Sequence, residues 1–198
     1  MEHFYDNIDG WAVGIPRIYK DIVSKTGNIA HFVEIGCWLG KSSACMAVEI
    51  INSGKKIKFD CIDVWDVGTW TSKTVEGIAA DDLYNKFIKN MQPVADKFTA
   101  IREDSAKAAN LYDDNSLDFV FLDADHSYKS VKRDVTAWLP KVKPGGILAG
   151  DDYNPAFPGV IQAVNELLGP LITTGPLIPP GLHRRSDRFF WYIKPTGK

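Results

Sequence analysis

Short apolar runs alternate along this chain with stretches in which apolar residues recur every three or four positions. Residues 31–35 (HFVEI), 57–63 (IKFDCID), 98–102 (FTAIR), 117–125 (LDFVFLDAD), 144–152 (PGGILAGDD) and 188–194 (RFFWYIK) read as strands. They are too short for helices and rich in Val, Ile and Phe. Helical periodicity marks residues 42–52, 130–142 and about 158–168, and it places Leu83, Phe87, Ile88 and Met91 on one face of a further helix. Strands and helices alternating at this spacing predict a parallel sheet covered by helices on both faces. Residues 1–28 are expected to form a helical lead-in across one edge of the sheet, and 29–198 a single domain. Two connections exceed what the chain needs to cross: 64–77 and the Pro/Gly-rich 173–188. Loops of that length are often functional lids.

Composition narrows the classes. Of 198 residues, 45% are hydrophobic and 24% charged, with a net charge of −2. A near-neutral balance argues against a dedicated nucleic-acid binder. No apolar run reaches the length of a membrane span. The start of the chain, MEHFYDNIDGW, lacks the basic and then apolar pattern of a secretory signal. Cys37, Cys45 and Cys61 are odd in number and lie in apolar segments. That suits reduced, buried thiols in a cytoplasmic protein.

Residues 34–43, EIGCWLGKSS, admit two readings. A phosphate loop needs G-x-x-x-x-G-K-[ST], so that lysine and amides reach the same phosphates. Counting back from Gly40, its first glycine falls on Ile35, and the spacing fails. A nucleotide phosphotransferase is therefore the weaker alternative. In the other reading Gly36 and Gly40 give a tight turn after a strand and let the backbone approach a ligand. Glu34 and Asp63 then stand at the tips of the first two strands. Asp63 is placed to accept hydrogen bonds from the two hydroxyls of a ribose, and Asp104–Ser105 to read an adenine edge.

Together, FVEIGCWLGKSS, CIDVW, REDSA, DFVFLDADHSY and LPKVKPGGILAGDDY resemble the class I S-adenosylmethionine-dependent methyltransferases over about residues 30–170. The likeness is closest to the macrocin-type sugar O-methyltransferases and looser to the catechol-type enzymes. Trp38 departs from the middle glycine that many class I members carry. The resemblance implies a Rossmann-like, doubly wound, seven-stranded, mostly parallel sheet with an antiparallel C-terminal strand. It carries donor contacts onto Glu34, Gly36, Cys37, Trp38, Gly40, Ser42, Asp63, Val64, Trp65, Asp104, Ser105 and Asp123. Lys41 in this reading starts a helix. A non-catalytic donor-binding module is a further alternative, against which the retained acids speak.

Asp123, Asp151 and Asp152 end two strands expected to be neighbours. Three converging carboxylates repel one another without a cation, and hard oxygen ligands suit Mg²⁺ or another divalent ion. By resemblance these three match the metal ligands of metal-dependent O-methyltransferases. His126, three residues after Asp123, is the candidate general base, with Asp125 sharing that role or supporting it. Trp65 and Trp70 offer flat faces for a sugar, a ring or the donor's adenine. Arg184, Arg185 and Arg188 attract a carboxylate or phosphate if the acceptor carries one. The expected partner is a small-molecule acceptor, not nucleic acid or a membrane; association into a homo-oligomer stays open.

Overall fold

The structure of the protein is a computed structural model, which describes residues 1–66, 82–169, 188–196 and the backbone of 181–185. Its strands are β1 (Ile29–Ile35), β2 (Lys56–Asp63), β3 (Thr99–Arg102), β4 (Leu117–Leu122), β5 (Val142–Gly150), β6 (Gly181–Arg185) and β7 (Phe189–Ile193). The helices are α1 (Ile15–Lys25), α2 (Lys41–Ser53), α3 (Asp82–Asn90), α4 (Ser105–Ala108), α5 (Tyr128–Trp138) and α6 (Pro158–Leu168). In the sheet the order is β3-β2-β1-β4-β5-β7-β6. The first five strands run parallel, β7 pairs antiparallel with β5, and β6 antiparallel with β7. β6 adds only backbone pairing to this description and had no counterpart in the hydrophobic pattern. Strand order reverses between β1 and β4, which opens a crevice beyond their carboxyl ends.

The near-continuous apolar runs are explained by burial on both faces. Side chains alternate with a period of two. Phe32, Phe119 and Phe121 point to one face and meet Tyr19, Met46 and Phe87 from α1, α2 and α3. Val33, Ile35, Val120 and Leu122 point to the other and meet Val135, Trp138 and Val164 from α5 and α6. α1 buries Ile15, Ile18, Tyr19, Ile22 and Val23, an i, i+3, i+4 stripe. Its Tyr19 ring packs edge-on against Phe119 and Phe121 of the central β4. The lead-in thus lies over the middle of the sheet, not along its edge.

Element ends differ from the pattern for local reasons. The helix expected at 130–142 begins at Tyr128, because the Ser127 side chain caps it by accepting from Ser130 N–H. It stops at Trp138, two residues before Pro140, which cannot continue a helix. β4 ends at Leu122, leaving Asp123, Ala124 and Asp125 free to form the crevice wall.

Candidate active site

The loop after β1 is built by close approach. Gly36 adopts φ +86°, and a Cβ there would sit 2.1 Å from the Asp123 carbonyl oxygen. Only glycine allows the β1 and β4 ends to touch at this point. Asp63, at the tip of β2, ties the loop down. Its Oδ2 accepts from Cys37 N–H and Trp38 N–H, both at 2.9 Å, and its Oδ1 from Trp65 N–H at 2.8 Å. Burial pushes the Asp63 pKa up, and those amides oppose the rise. The backbone takes left-handed values at Trp38 (φ 49°) and Trp65 (φ 43°) on either side of this clasp.

Trp65 corrects an expectation. Its ring is fully buried, packed on Tyr84 and Phe87, and its Nε1–H donates to the Trp38 carbonyl at 2.9 Å. It braces the loop from behind and offers no face to an acceptor. Gly40 also lies behind, against Phe87 and Met91. Glu34 is 1% exposed beneath the loop, and neither carboxyl oxygen has a hydrogen-bond partner. Burial pushes its pKa up to about 7, with the nearby hydroxyls of Ser42, Ser43 and Tyr19 opposing and the charge of Asp123 adding.

Two cavities open on this loop. A cleft of about 840 Å³ is lined by Gly36, Asp63, Val64, Asp104 and Ser105 on one side and by Ser127, Ser130, Arg133 and Asp134 on the other. A chamber of about 380 Å³ is lined by Cys37, Trp38, Lys41, Ser42, Asp123, Asp151, Asp152 and Arg188, and by Gly10 and Trp11 of the N-terminal segment. The two share Gly36, His126 and Phe157. Both volumes fall in the range of small-molecule sites.

The α5 wall was not anticipated. Asp134 is 4% exposed, and burial pushes its pKa up to about 6 against the opposing Ser105 and Arg133. Ser105 Oγ accepts from Trp138 Nε1–H at 3.0 Å, and Arg133 pairs with Asp104 at 2.9 Å across the cleft's end. A signal existed in the sequence: Asp134 interrupts the apolar stripe Val131, Val135, Trp138. Trp11 and Phe157 had no such signal.

The acids at the sheet edge regroup. Asp151 is engaged by Arg188, which donates from Nε to Oδ1 at 2.5 Å and from Nη2 to Oδ2 at 2.7 Å. Nη2 also reaches Asp152 Oδ1 at 3.1 Å. Burial still holds the Asp151 pKa up, at about 6, with Arg188 opposing. The trio that converges is therefore Asp123, His126 and Asp152, with candidate ligand atoms within 4.8 Å of one another. His126 replaces Asp151 in the set expected from the sequence. Its Nε2 lies 3.0 Å from Asp152 Oδ2 and 3.6 Å from Asp123 Oδ1, out of line for a hydrogen bond to either. Burial works to lower the His126 pKa, but the two carboxylates prevail and push it up to about 10. Asp125 lines the cleft and accepts from Ser127 N–H at 2.6 Å. Burial opposes, but the Ser127 and Ser130 contacts hold its pKa below the usual value. Of the expected acceptor contacts, Trp70 and the side chains of Arg184 and Arg185 lie outside the described residues.

Residues 33–153 match a family model described as a methyltransferase domain, which covers more than half of the chain. The chain belongs to this methyltransferase-domain family. That membership sets aside the phosphotransferase reading, as the loop spacing already indicated. A curated relative, the uncharacterized protein y4gI of Sinorhizobium fredii, is 24% identical over 122 residues, 62% of this chain. The chain spans only 13% of that relative's length. Among solved structures, a SAM-dependent O-methyltransferase from Thermotoga maritima superposes with a TM-score of 0.60 at 12% identity, over 92% of this chain and 65% of that one. A putative O-methyltransferase from Klebsiella pneumoniae gives 0.59 at 17% identity, over 94% and 82%. At these identities the likeness establishes the fold. No helix among the described residues is long and apolar enough to cross a membrane.

Proposed function

We propose that this chain transfers the methyl group of S-adenosylmethionine to a hydroxyl oxygen of a small acceptor, assisted by a divalent cation. The observation that carries the reading is the junction at His126. There a cleft long enough for an adenosyl group meets a chamber walled by carboxylates, in a methyltransferase domain. The larger cleft, with Asp63, Val64, Asp104 and Ser105 opposite α5, would hold the adenosyl moiety, and Gly36 and His126 at the junction with the chamber would face the sulfonium.

The donor set supports a cation. Nε2 of His126 is buried between two carboxylates without hydrogen-bond alignment, and Asp123 and Asp152 supply hard oxygens. One or two carboxylates plus waters and substrate oxygens is the usual holding of Mg²⁺. Bound at Asp123 and Asp152, such an ion supplies a Lewis acid that lowers the pKa of the acceptor hydroxyl. Against burial, Asp123 and Asp152 push the His126 pKa up to about 10, which favours its protonated form over the base. A cation held by Asp123 and Asp152 would oppose that rise, and His126 Nε2 would then accept the acceptor's proton. The acceptor oxygen then attacks the methyl carbon, the carbon–sulfur bond breaks, and the sulfur keeps the electron pair. Phe157, 4.8 Å from the His126 ring, holds the imidazole in place. A sugar or vicinal diol follows from the macrocin-type resemblance. An acid on the acceptor loses support from Arg188, which is committed to Asp151.

The test is calorimetry with S-adenosylhomocysteine together with methyl transfer in the presence and absence of chelator. Donor binding that survives chelation, with transfer abolished, is the expected result. His126→Ala is expected to slow transfer about 10²–10⁴-fold with donor affinity nearly unchanged. Full transfer in excess EDTA refutes the cation; no affinity for the donor refutes the reading as a whole.

A further inference from the structure

Residues 10–14 form an irregular segment pinned at both ends. Gly10 (φ +127°) lies against Trp38, where a Cβ would come within 3.2 Å of ring atom Cδ1. Gly14 (φ +81°) lies against Phe189, where a Cβ would come within 3.0 Å of Cε2. Trp38 follows β1 and Phe189 opens β7, and between those strands in the sheet stand β4 and β5. The segment therefore runs along the stretch of sheet whose carboxyl ends lead into Asp123 and Asp152. Ala12 is turned inward at 9% exposed, whereas Trp11 is 59% exposed and Val13 67%. Trp11 lines the chamber with Asp123, His126 and Asp152, and Val13 does not. The Trp11 indole makes no hydrogen bond or ring contact among the described residues. Burying an aromatic ring of this size is a large favourable term that folding does not use here.

We propose that Trp11 is the platform for the acceptor, and that the acceptor is a six-membered ring carrying two adjacent hydroxyls. This rests on the methyl-transfer reading above and adds the acceptor's shape to it. Trp65, the aromatic face that the sequence offered for an acceptor, is closed off behind the loop, and Trp11 supplies one on the open side. A ring laid on the indole removes from water a face that the fold leaves wet. Two adjacent oxygens on its edge then reach the carboxylates of a chamber of about 380 Å³, which holds a single ring rather than a chain of them. An open-chain diol presents the same oxygens but no face for the indole, so Trp11 selects ring over chain.

The experiment measures methyl transfer by wild type, Trp11→Ala, Trp11→Phe and Val13→Ala, with S-adenosylmethionine and Mg²⁺ saturating. The acceptors are catechol, cis-1,2-cyclohexanediol and ethylene glycol, which present an aromatic ring, a saturated ring and no ring. Wild type is expected to methylate a ring diol in preference to ethylene glycol; catechol marks an aromatic acceptor and the cyclohexanediol a sugar-like one. Trp11→Ala should raise the KM for that ring diol about tenfold, the scale of stacking on one aromatic side chain. Its kcat and its Kd for S-adenosylhomocysteine should stay nearly unchanged. Trp11→Phe should restore most of the affinity, and Val13→Ala should behave as wild type. Trp11→Ala should also melt with wild type, since a mostly exposed side chain has been removed. An unchanged KM in Trp11→Ala overturns the inference, as does an equal rise in Val13→Ala. Equal transfer to ethylene glycol overturns it, and so does transfer to none of the three by a wild type that binds S-adenosylhomocysteine. Sedimentation showing that Trp11→Ala dissociates a wild-type oligomer, with KM unchanged, assigns the indole to a second copy of the chain and overturns it too. Wild type that does not bind S-adenosylhomocysteine refutes the methyl-donor reading itself, and the inference with it.

Discussion

The amides of Cys37, Trp38 and Trp65 all spend their hydrogens on the Asp63 carboxylate. A ribose contact from Asp63, as the sequence suggested, would be made by a side chain already holding the loop. Asp63→Ala is expected to lower the unfolding free energy by roughly 3 kcal/mol or more, because three buried donors lose their acceptor. Urea denaturation measures this; a loss confined to donor affinity would assign Asp63 to the ligand alone. Glu34 makes a prediction in pH. Its pKa rises from 4.5 to about 7 on burial. The folded state therefore binds a proton that the unfolded state has released between those values, and stability from this group fades as pH climbs through the window. Glu34→Gln should gain on wild type between pH 4 and pH 8 by up to roughly 3 kcal/mol, the full shift converted to free energy. A pH-independent difference between the two proteins would show that Glu34 keeps its charge.

At the level of elements, β7 decides what the acids at the end of β5 can do. Arg188, the residue before it, neutralises Asp151 and touches Asp152, leaving Asp152 to face Asp123 and His126. Without the guanidinium, three carboxylates share one sheet edge with a single imidazolium. Arg188→Met is expected to cost about 1–3 kcal/mol, below the range for a fully buried pair because the side chain is partly exposed. The cost should shrink at acid pH and on adding Mg²⁺, either of which relieves the repulsion. Melting curves at two pH values, with and without the ion, check this. An Arg188→Met deficit insensitive to both would mean that packing, not charge, is what Arg188 supplies.

Across the whole molecule, the site draws on Gly10 and Trp11, the loop after β1, the tips of β2, β4 and β5, α5, and Arg188 just before β7. Few of these positions are neighbours in sequence, so the site exists only when the sheet has closed. Donor binding should therefore stabilise the fold as a unit. S-adenosylhomocysteine at about 100 times its dissociation constant adds about 2.7 kcal/mol by mass action. Hydrogen exchange should slow across residues 62–64 and 103–105 together with 127–134, on opposite walls of the larger cleft. Protection of one wall alone would place the donor elsewhere.

The sequence by itself determined the strand–helix alternation, the parallel sheet with an antiparallel end, and the acids and glycines at its carboxyl edge. These follow from local periodicity and from residues whose backbone or charge is tied to a strand end, so they survive without knowledge of packing. Tertiary structure decided which way each side chain faces and what it meets. Trp65 turned inward because its backbone N–H was claimed by Asp63 and its ring by α3. Asp151 was taken from the cation's reach by an arginine 37 residues away in sequence. His126 moved into the acid cluster between two carboxylates that push its pKa up against burial, and Asp134 came to line the cleft from a helix read as covering the sheet. Each outcome turns on contacts between segments far apart in the chain, which no local pattern encodes.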